Sequence, residues 1–170
     1  IDVSNMLDIG LFNQANNQIA EILKTDKKPF VKSIDEIKKF YSIEYLAPCT
    51  IEKIEKDNLK FDACISTTTL EHLPLEKLEN HFISLKKIIK KNGIISSLID
   101  YSDHYCHTDT KISPLNFLQF NENHWERYNT PYLFQNRLRH QDYRNLFLKM
   151  DYEIVKEKKG SIGIPPKTIS

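Results

Sequence analysis

Glycine is scarce in this chain: four glycines occur in 170 residues, at positions 10, 93, 160 and 163. None of them forms a Gly-x-Gly pattern behind an apolar run, the arrangement that lets a backbone approach a bound nucleotide closely. Nothing in the sequence therefore resembles the phosphate-binding fingerprint of nicotinamide-dependent enzymes.

Cysteine is also rare, and long apolar runs are missing. The three cysteines, at positions 49, 64 and 106, have no Cys-x-x-Cys spacing, which favours reduced thiols in a cytoplasmic protein. No apolar run approaches the roughly 20 residues of a membrane-spanning helix, and no signal peptide is visible. The sequence predicts a cytoplasmic protein that does not insert into membranes.

The chain also lacks an excess of either charge. Twenty-four Lys and Arg face 23 Asp and Glu, for a formal net charge of +1. Without a strong field of either sign, no nucleic-acid partner is predicted. The length suits a single domain spanning residues 1–170, with a core of its own.

The most informative stretch begins at Phe61. Phe61–Ser66 is a short apolar run that contains an aromatic and a β-branched residue and is too brief for a helix, which predicts a strand. Pro74 suits the first turn of a helix, and Leu75–Lys90 has apolar residues at spacings of three and four. Gly93 is predicted to cap that helix in a left-handed conformation, ahead of a second strand at 94–100. The order strand, helix, strand predicts a right-handed parallel crossover.

These residues resemble a known family. Phe61-Asp62-x-x-Ile65-Ser66, then Leu70-Glu71-His72-Leu73, then Ile88 to Gly93 before a strand, is similar to the fourth-to-fifth-strand region of class I S-adenosylmethionine-dependent methyltransferases, type 11-like. The resemblance covers residues 40–158. It implies an α/β fold with a Rossmann-like, doubly wound, mostly parallel sheet, and S-adenosyl-L-methionine as the cofactor. Since the glycine loop is missing, it also implies a fragment without the N-terminal strand and without the last strand.

The resemblance further implies which residues contact the cofactor. Asp2 would be the carboxylate that binds the ribose hydroxyls, although it is equally well a loop aspartate. Ala47 and Pro48 would flank the adenine after a predicted strand at 43–47, or form an ordinary exit from that strand. Ser66 and Thr67, together with Thr68, would contact the methionine part of the donor, and Glu71 and His72 would be further cofactor contacts. Glu71 and His72 also suit a helix start without any ligand.

The rest of the chain gives simpler patterns. Helices are predicted at 11–24, at 34–41 behind a Ser33 capping box, and at 141–150, with a strand at 152–158 and a poor helix or loop at 51–59. Residues 101–141 are rich in aromatic, Asn, His and Pro residues and weakly periodic, which predicts a substrate-side insertion or lid, or else a small packed subdomain. Within it, Arg137 and Arg139 could clamp an anionic substrate or pair with Asp142 or Glu126.

The densest polar cluster follows the second predicted strand. In Asp103-His104-x-x-His107-x-Asp109, either Asp103 or His104 could orient a nucleophile or take its proton, and we predict both as catalytic residues. A hydrogen-bonded loop is the alternative. No metal site is predicted, because the segment lacks helical periodicity and a third His at a diagnostic spacing.

The predicted function is methyl transfer from S-adenosylmethionine to an unidentified small-molecule substrate. A non-catalytic α/β binding module derived from a methyltransferase fold is the alternative. Methyl transfer needs few special side chains, because the donor is already activated and the protein mainly aligns the reacting atoms.

Overall fold

The computed structural model describes residues 5–160, and the chain divides into two compact units, Ile1–Asn58 and Leu59–Ser170. Asp2 lies outside the described residues. The described part of the N-terminal unit contains three helices, α1 (Ile9–Leu23), α2 (Ile34–Tyr41) and α3 (Ile51–Lys56). The C-terminal unit contains both strands of the described chain and three further helices.

Local capping explains where the N-terminal helices begin. The Asp8 carboxylate accepts a hydrogen bond from the Leu11 N–H at 2.8 Å at the start of α1. The Ser33 hydroxyl accepts one from the Glu36 N–H at 3.2 Å, as the capping-box pattern predicts. The Glu36 side chain returns to the N–H of Lys32, one residue earlier than in the standard box.

A buried amide holds the core of the N-terminal unit together. Asn13 donates to the Val31 carbonyl at 2.8 Å and accepts from the Val31 N–H at 2.9 Å, so the segment after α1 is fixed against the helix. Val31, Ile37 and Ile54 are buried in this unit. The strand predicted at 43–47 is not formed: this stretch is irregular, because no described strand pairs with it.

The C-terminal unit begins with the predicted strand–helix–strand crossover. Strand β1 (Phe61–Thr67) is followed by a 3-10 turn (Leu70–His72), helix α4 (Leu75–Ile88) and strand β2 (Ile89–Leu98). The two strands pair in parallel, from Ala63 opposite Ile94 to Thr67 opposite Leu98. The parallel crossover predicted from the sequence is therefore confirmed.

The junction of α4 and β2 differs from the prediction. The helix ends at Ile88, the strand begins at Ile89, and the pairing jumps from Phe61–Ile89 to Ala63–Ile94, so residues 90–93 form a bulge. Gly93 is therefore a strand residue and not a helix cap. A Cβ there would lie 2.5 Å from Ile89 Cγ2 and 2.9 Å from the Asp62 carbonyl oxygen, which explains why the position is glycine.

Beyond β2 the chain is mostly short helical pieces. These are 3-10 turns at His104–His107 and Asn116–Gln119, helix α5 (Glu122–Trp125) and helix α6 (His140–Lys149). The predicted apolar face of α4 is buried, and Phe82 packs edge-to-face on Phe147 with ring centroids 4.9 Å apart. The Tyr152 hydroxyl donates to the Phe82 carbonyl at 2.7 Å, which ties the segment after α6 to the same core.

The strand predicted at 152–158 is also not formed. Residues of this stretch and of β2 line one groove of about 1000 Å³, and the stretch pairs with neither strand of the described chain. The described chain is thus α/β with a small, open, two-stranded parallel sheet. Among residues 5–160, no helix is both long and apolar enough to cross a bilayer.

Candidate functional site

The carboxyl ends of β1 and β2 lie at one edge of the sheet, because the strands are parallel. The Thr68 N–H donates to the Leu98 carbonyl at 2.8 Å, and the Thr69 hydroxyl donates to the Thr67 carbonyl at 2.9 Å. Thr68 has φ 45°, a left-handed backbone that is unusual for a β-branched residue. Such strain concentrates at ligand-binding and active sites, which marks this edge as the candidate site.

Glu71 connects the loops that follow the two strands. Its side chain is buried, with the residue only 1% exposed, although it is a carboxylate. One oxygen accepts the Asp100 N–H at 3.3 Å, whereas the buried Oε2 has no hydrogen-bond partner. Burial raises the pKa of Glu71, and the hydrogen bonds that it accepts only partly oppose this. A buried, half-satisfied carboxylate behind a strained strand end is a group that a ligand could satisfy.

His72 follows directly and is exposed. Its Nδ1 lies 2.8 Å from the Phe134 carbonyl oxygen, and since a carbonyl only accepts, the neutral ring carries its proton on Nδ1. Its Nε2 therefore retains a lone pair. The His72 ring also lies edge-on to the His104 ring, with centroids 4.9 Å apart, so the loops after β1 and β2 bring two imidazoles together.

Asp100 is the first polar residue after β2 and organises the next turn. Its Oδ1 accepts both the Ser102 N–H at 2.8 Å and the Ser102 hydroxyl at 2.7 Å. Its Oδ2 lies 3.6 Å from Nε2 of His104 and 3.4 Å from Nε2 of His107. Burial by itself raises the pKa of Asp100, but the Ser102 hydrogen bonds and the two imidazoles together lower it.

His104 lies at the centre of this cluster. Burial lowers its pKa first, and the neighbouring His72 lowers it further, while Asp100 opposes both effects. The imidazole is therefore neutral at physiological pH, with a lone pair that can accept a proton or bind a ligand.

The predicted catalytic residue Asp103 is placed differently. It is 0% exposed, and its two oxygens accept the Tyr105 N–H and the Asn116 side-chain amide, each at 3.0 Å. Its own N–H donates to the Pro114 carbonyl at 2.6 Å. These contacts are those of an anchor for the surrounding loops. A catalytic role for Asp103 stays a prediction, whereas His104 is the member of the pair that reaches the candidate site.

The sequence reasoning missed two residues that hold the site together. Gln135 is buried, accepts the His104 N–H at 3.2 Å and donates to the Ser102 carbonyl. Asn136 donates its N–H to the Glu71 carbonyl at 2.7 Å, and its side-chain amide donates to the Leu70 and Leu73 carbonyls at 3.0 and 2.9 Å.

The adjacent amides of Gln135 and Asn136 thus bind the loops after β2 and β1, respectively. The sequence does contain one signal for these two residues: they are consecutive side-chain amides next to Arg137, and each amide can satisfy several backbone groups at once.

Arg137 and Arg139 both make contacts within the protein. Arg137 donates to the Phe117 and Phe120 carbonyls and pairs with Glu122. Arg139 donates to the Tyr101 carbonyl at 2.6 Å, and its guanidinium lies 5.3 Å from the Tyr101 ring centroid. Both guanidinium groups thus contact groups of the protein itself, and the Asp142 carboxylate, a predicted partner, accepts the backbone N–H of Arg139 at 2.7 Å. A clamp for an anionic substrate stays a prediction.

The middle of residues 101–141 is a packed aromatic cluster. Phe117 and Trp125 are buried, with ring centroids 5.7 Å apart, and the Phe120 ring stacks on Trp125 at 6.5 Å. These contacts favour the packed subdomain for this part. The lid over the strand ends stays a prediction.

Polar groups of the edge also meet a geometric requirement for metal binding. Two sets of three residues each have ligand atoms within 4.8 Å of one another in the described chain. One set is Glu71, His72 and His104, and the other is Asp100, His104 and His107. The sequence predicts no metal site, because the segment after β2 lacks helical periodicity and a third His at a diagnostic spacing. The first set draws its ligands from two segments about 30 positions apart, which no local spacing reveals.

Four of the predicted cofactor-contact residues lie at this edge of the sheet. Ser66 and Thr67 form the end of β1, and Glu71 and His72 lie in the turn behind it, whereas Ala47 and Pro48 belong to the N-terminal unit. Comparisons with protein-family models, with curated proteins and with solved structures found no match for the chain. The family resemblance of residues 40–158 therefore has no support beyond its own motifs.

Proposed function

We propose that the chain belongs to a Rossmann-like α/β protein that transfers a methyl group from S-adenosyl-L-methionine to a small molecule in the cytoplasm. The supporting observation is the parallel pairing of β1 and β2, with the Leu-Glu-His-Leu turn directly behind their carboxyl ends. In open α/β sheets, ligands bind in the crevice outside this edge.

The residues at the edge fit the amino-acid half of the donor. Ser66 and the exposed Thr67 offer hydroxyl groups at the strand end, and the left-handed Thr68 turns the backbone there. We assign Ser66 and Thr67 to this half of the donor. The predicted ribose ligand, Asp2, lies outside the described residues.

The reaction asks mainly for alignment. The donor supplies a sulfonium-activated methyl group, so the chain must hold an acceptor atom in line and exclude water. His104 lies at the edge as a neutral imidazole and is suited to accept the proton that the acceptor loses.

Donor binding tests the proposal directly. Calorimetric titration of the 170-residue chain with S-adenosylmethionine, in buffer containing EDTA, should show one site. Thr67→Trp should abolish the heat signal, because the large ring would fill the end of β1. Ala63→Trp is the matched control. Ala63 is exposed on the same strand, four residues before Thr67, and side-chain alternation puts the two residues on the same face of the sheet.

Two results would count against the proposal. The first is that the wild-type chain, shown to be folded by circular dichroism, gives no binding at millimolar donor. The second is that Thr67→Trp and Ala63→Trp bind the donor equally well, since binding would then lie away from the strand ends.

A further inference from the structure

We propose that Glu71, His72 and His104 form a binding site for a divalent transition-metal ion of the zinc type. Their ligand atoms lie within 4.8 Å of one another, and they come from the two loops at the carboxyl edge of the sheet. Ligands at about 2.0–2.1 Å from a tetrahedral zinc ion are about 3.3–3.5 Å apart. Small rotations of the exposed His72 and the half-buried His104 would bring the ligand atoms from their present spacing of up to 4.8 Å to the spacing of a zinc site.

Glu71 is the strongest part of the argument. Its Oε1 is occupied by the Asp100 N–H, while its Oε2 is buried and has no partner. Buried polar atoms are nearly always satisfied by the protein, by water or by an ion, so an orphaned carboxylate oxygen needs an explanation. Coordination of a cation by Oε2 would provide one and leave the Asp100 contact unchanged.

His72 is prepared for the same role. Its Nδ1 is held by the Phe134 carbonyl at 2.8 Å, which leaves the lone pair on Nε2. A backbone carbonyl that binds one imidazole nitrogen is the usual way in which proteins fix the tautomer and ring orientation of a metal-binding His. No other hydrogen-bond acceptor or donor for Nε2 is found among the described residues.

His104 completes the set, and Asp100 supports it. The Asp100 carboxylate lies 3.6 Å from the His104 ring and is itself fixed by two hydrogen bonds from Ser102. A carboxylate beside a metal-binding imidazole commonly accepts its second N–H and raises its basicity. The donor set of two imidazoles and one carboxylate suits zinc and similar ions, whereas magnesium and calcium prefer oxygen ligands alone.

The other set of three residues is the weaker candidate. Asp100 already uses Oδ1 for both Ser102 hydrogen bonds, and the His107 side chain is 57% exposed, with its Nε2 3.3 Å from the Ser102 hydroxyl. None of these groups is a buried atom without a partner, so this set does not require an ion.

The inference does not depend on methyl transfer, since it concerns metal binding by the chain alone. His104 cannot accept a proton and bind a metal ion at the same time, because both use a lone pair of the same ring. Donor binding in EDTA and metal binding without donor are therefore separate measurements, and either can fail alone.

The test is a titration of the EDTA-treated and desalted 170-residue chain with Co²⁺ and, by calorimetry, with Zn²⁺. One equivalent of Co²⁺ should bind with a visible d–d absorption band, and Zn²⁺ should displace it while Mg²⁺ should not. His72→Gln and Glu71→Gln should each weaken Co²⁺ binding by about tenfold or more. His124→Gln, an exposed imidazole in α5, should bind as the wild type does.

His107→Gln separates the two possible sets, and it should change Co²⁺ affinity by less than about threefold. The proposal is overturned if the wild-type chain binds no Co²⁺, if His72→Gln binds as the wild type does, or if His107→Gln is the variant that loses binding. Circular dichroism without metal shows whether each variant is folded. Since His72 is exposed, its variant keeps the test valid even where Glu71→Gln fails to fold.

Discussion

Several charged and polar residues of this chain are important because of what they hold in place. Glu71, Asp103 and Gln135 are buried, and each contacts two different loops of the C-terminal unit. A buried polar group stabilises a fold only when its partners are present, and the loss of one partner leaves the other unsatisfied. The motif Asp103-His104-x-x-His107-x-Asp109 therefore combines residues with different roles.

Asp103 and Asp109 provide a matched comparison at this scale. Asp103→Ala should lower the free energy of unfolding by about 2–4 kcal/mol, because the half-buried Tyr105 N–H and Asn116 amide both lose their acceptor. Asp109→Ala should cost less than about 1 kcal/mol, since Asp109 is exposed and accepts one hydrogen bond, from the Lys111 N–H. Urea denaturation measures both. Equal losses for the two variants would show that Asp103 is not an anchor.

At the scale of helices and strands, patterns local in sequence predict well where local interactions decide the structure. Helix α2 begins behind Ser33 as its capping box predicts, and the apolar spacing in 75–88 identifies α4. The strand Phe61–Thr67 was likewise expected within one residue. Each depends on a cap or a periodicity that is present in the segment itself.

Predictions were wrong where a distant partner decides the structure. Segments 43–47 and 152–158 have strand-like sequences but no hydrogen-bonded neighbour, so neither is a strand in the structure. The bulge at 90–93 has the composition of a helix end, and only its pairing with β1 shows otherwise. Gln135 and Asn136 were missed for the same reason, because they act on loops more than 30 positions away.

Gly93 tests the account of that bulge. Gly93→Ala should destabilise the protein by about 1–3 kcal/mol, because the new methyl group would meet Ile89 and the Asp62 carbonyl oxygen at 2.5 and 2.9 Å. Gly160→Ala is the control, since no atom lies within 4 Å of the Cβ position there. Thermal unfolding followed by circular dichroism would measure both variants. A tolerated Gly93→Ala change would mean that residues 90–93 do not pack as described.

At the scale of the whole molecule, two carboxylates of the candidate site make opposite contributions to stability. Asp100 has a pKa below its ordinary value, so its folded environment favours the charged form. Glu71 has a raised pKa, so its environment favours the protonated form. The two groups are joined by the Asp100 N–H hydrogen bond to Glu71, which places both effects at one edge of the sheet.

The signs follow from proton linkage. For Asp100, the folded chain releases its proton more readily than the unfolded chain, so its stabilisation is present above the unfolded pKa and is lost as pH falls through the lowered folded value. For Glu71, the folded chain holds its proton more tightly, so stability falls as pH rises from the unfolded value of 4.5 through the raised folded value. Removing each charge should therefore change the pH profile in opposite directions.

Measured in EDTA, Glu71→Gln should gain stability relative to the wild type as pH rises from about 4 to about 7, because the buried charge is gone while an oxygen remains to accept the Asp100 N–H. Asp100→Asn should lose relative stability below this range, as pH rises toward the unfolded Asp pKa of 3.8, since the amide cannot carry the charge that Ser102 and the imidazoles favour; above that pH its curve should run parallel to that of the wild type. Glu76→Gln, an exposed change in the first turn of α4, should stay parallel to the wild type. Urea denaturation at several pH values gives the three curves. If the Glu71→Gln and Glu76→Gln curves coincide, the Glu71 carboxylate is not under the burial penalty described here, and the case for a ligand that satisfies its free oxygen weakens with it.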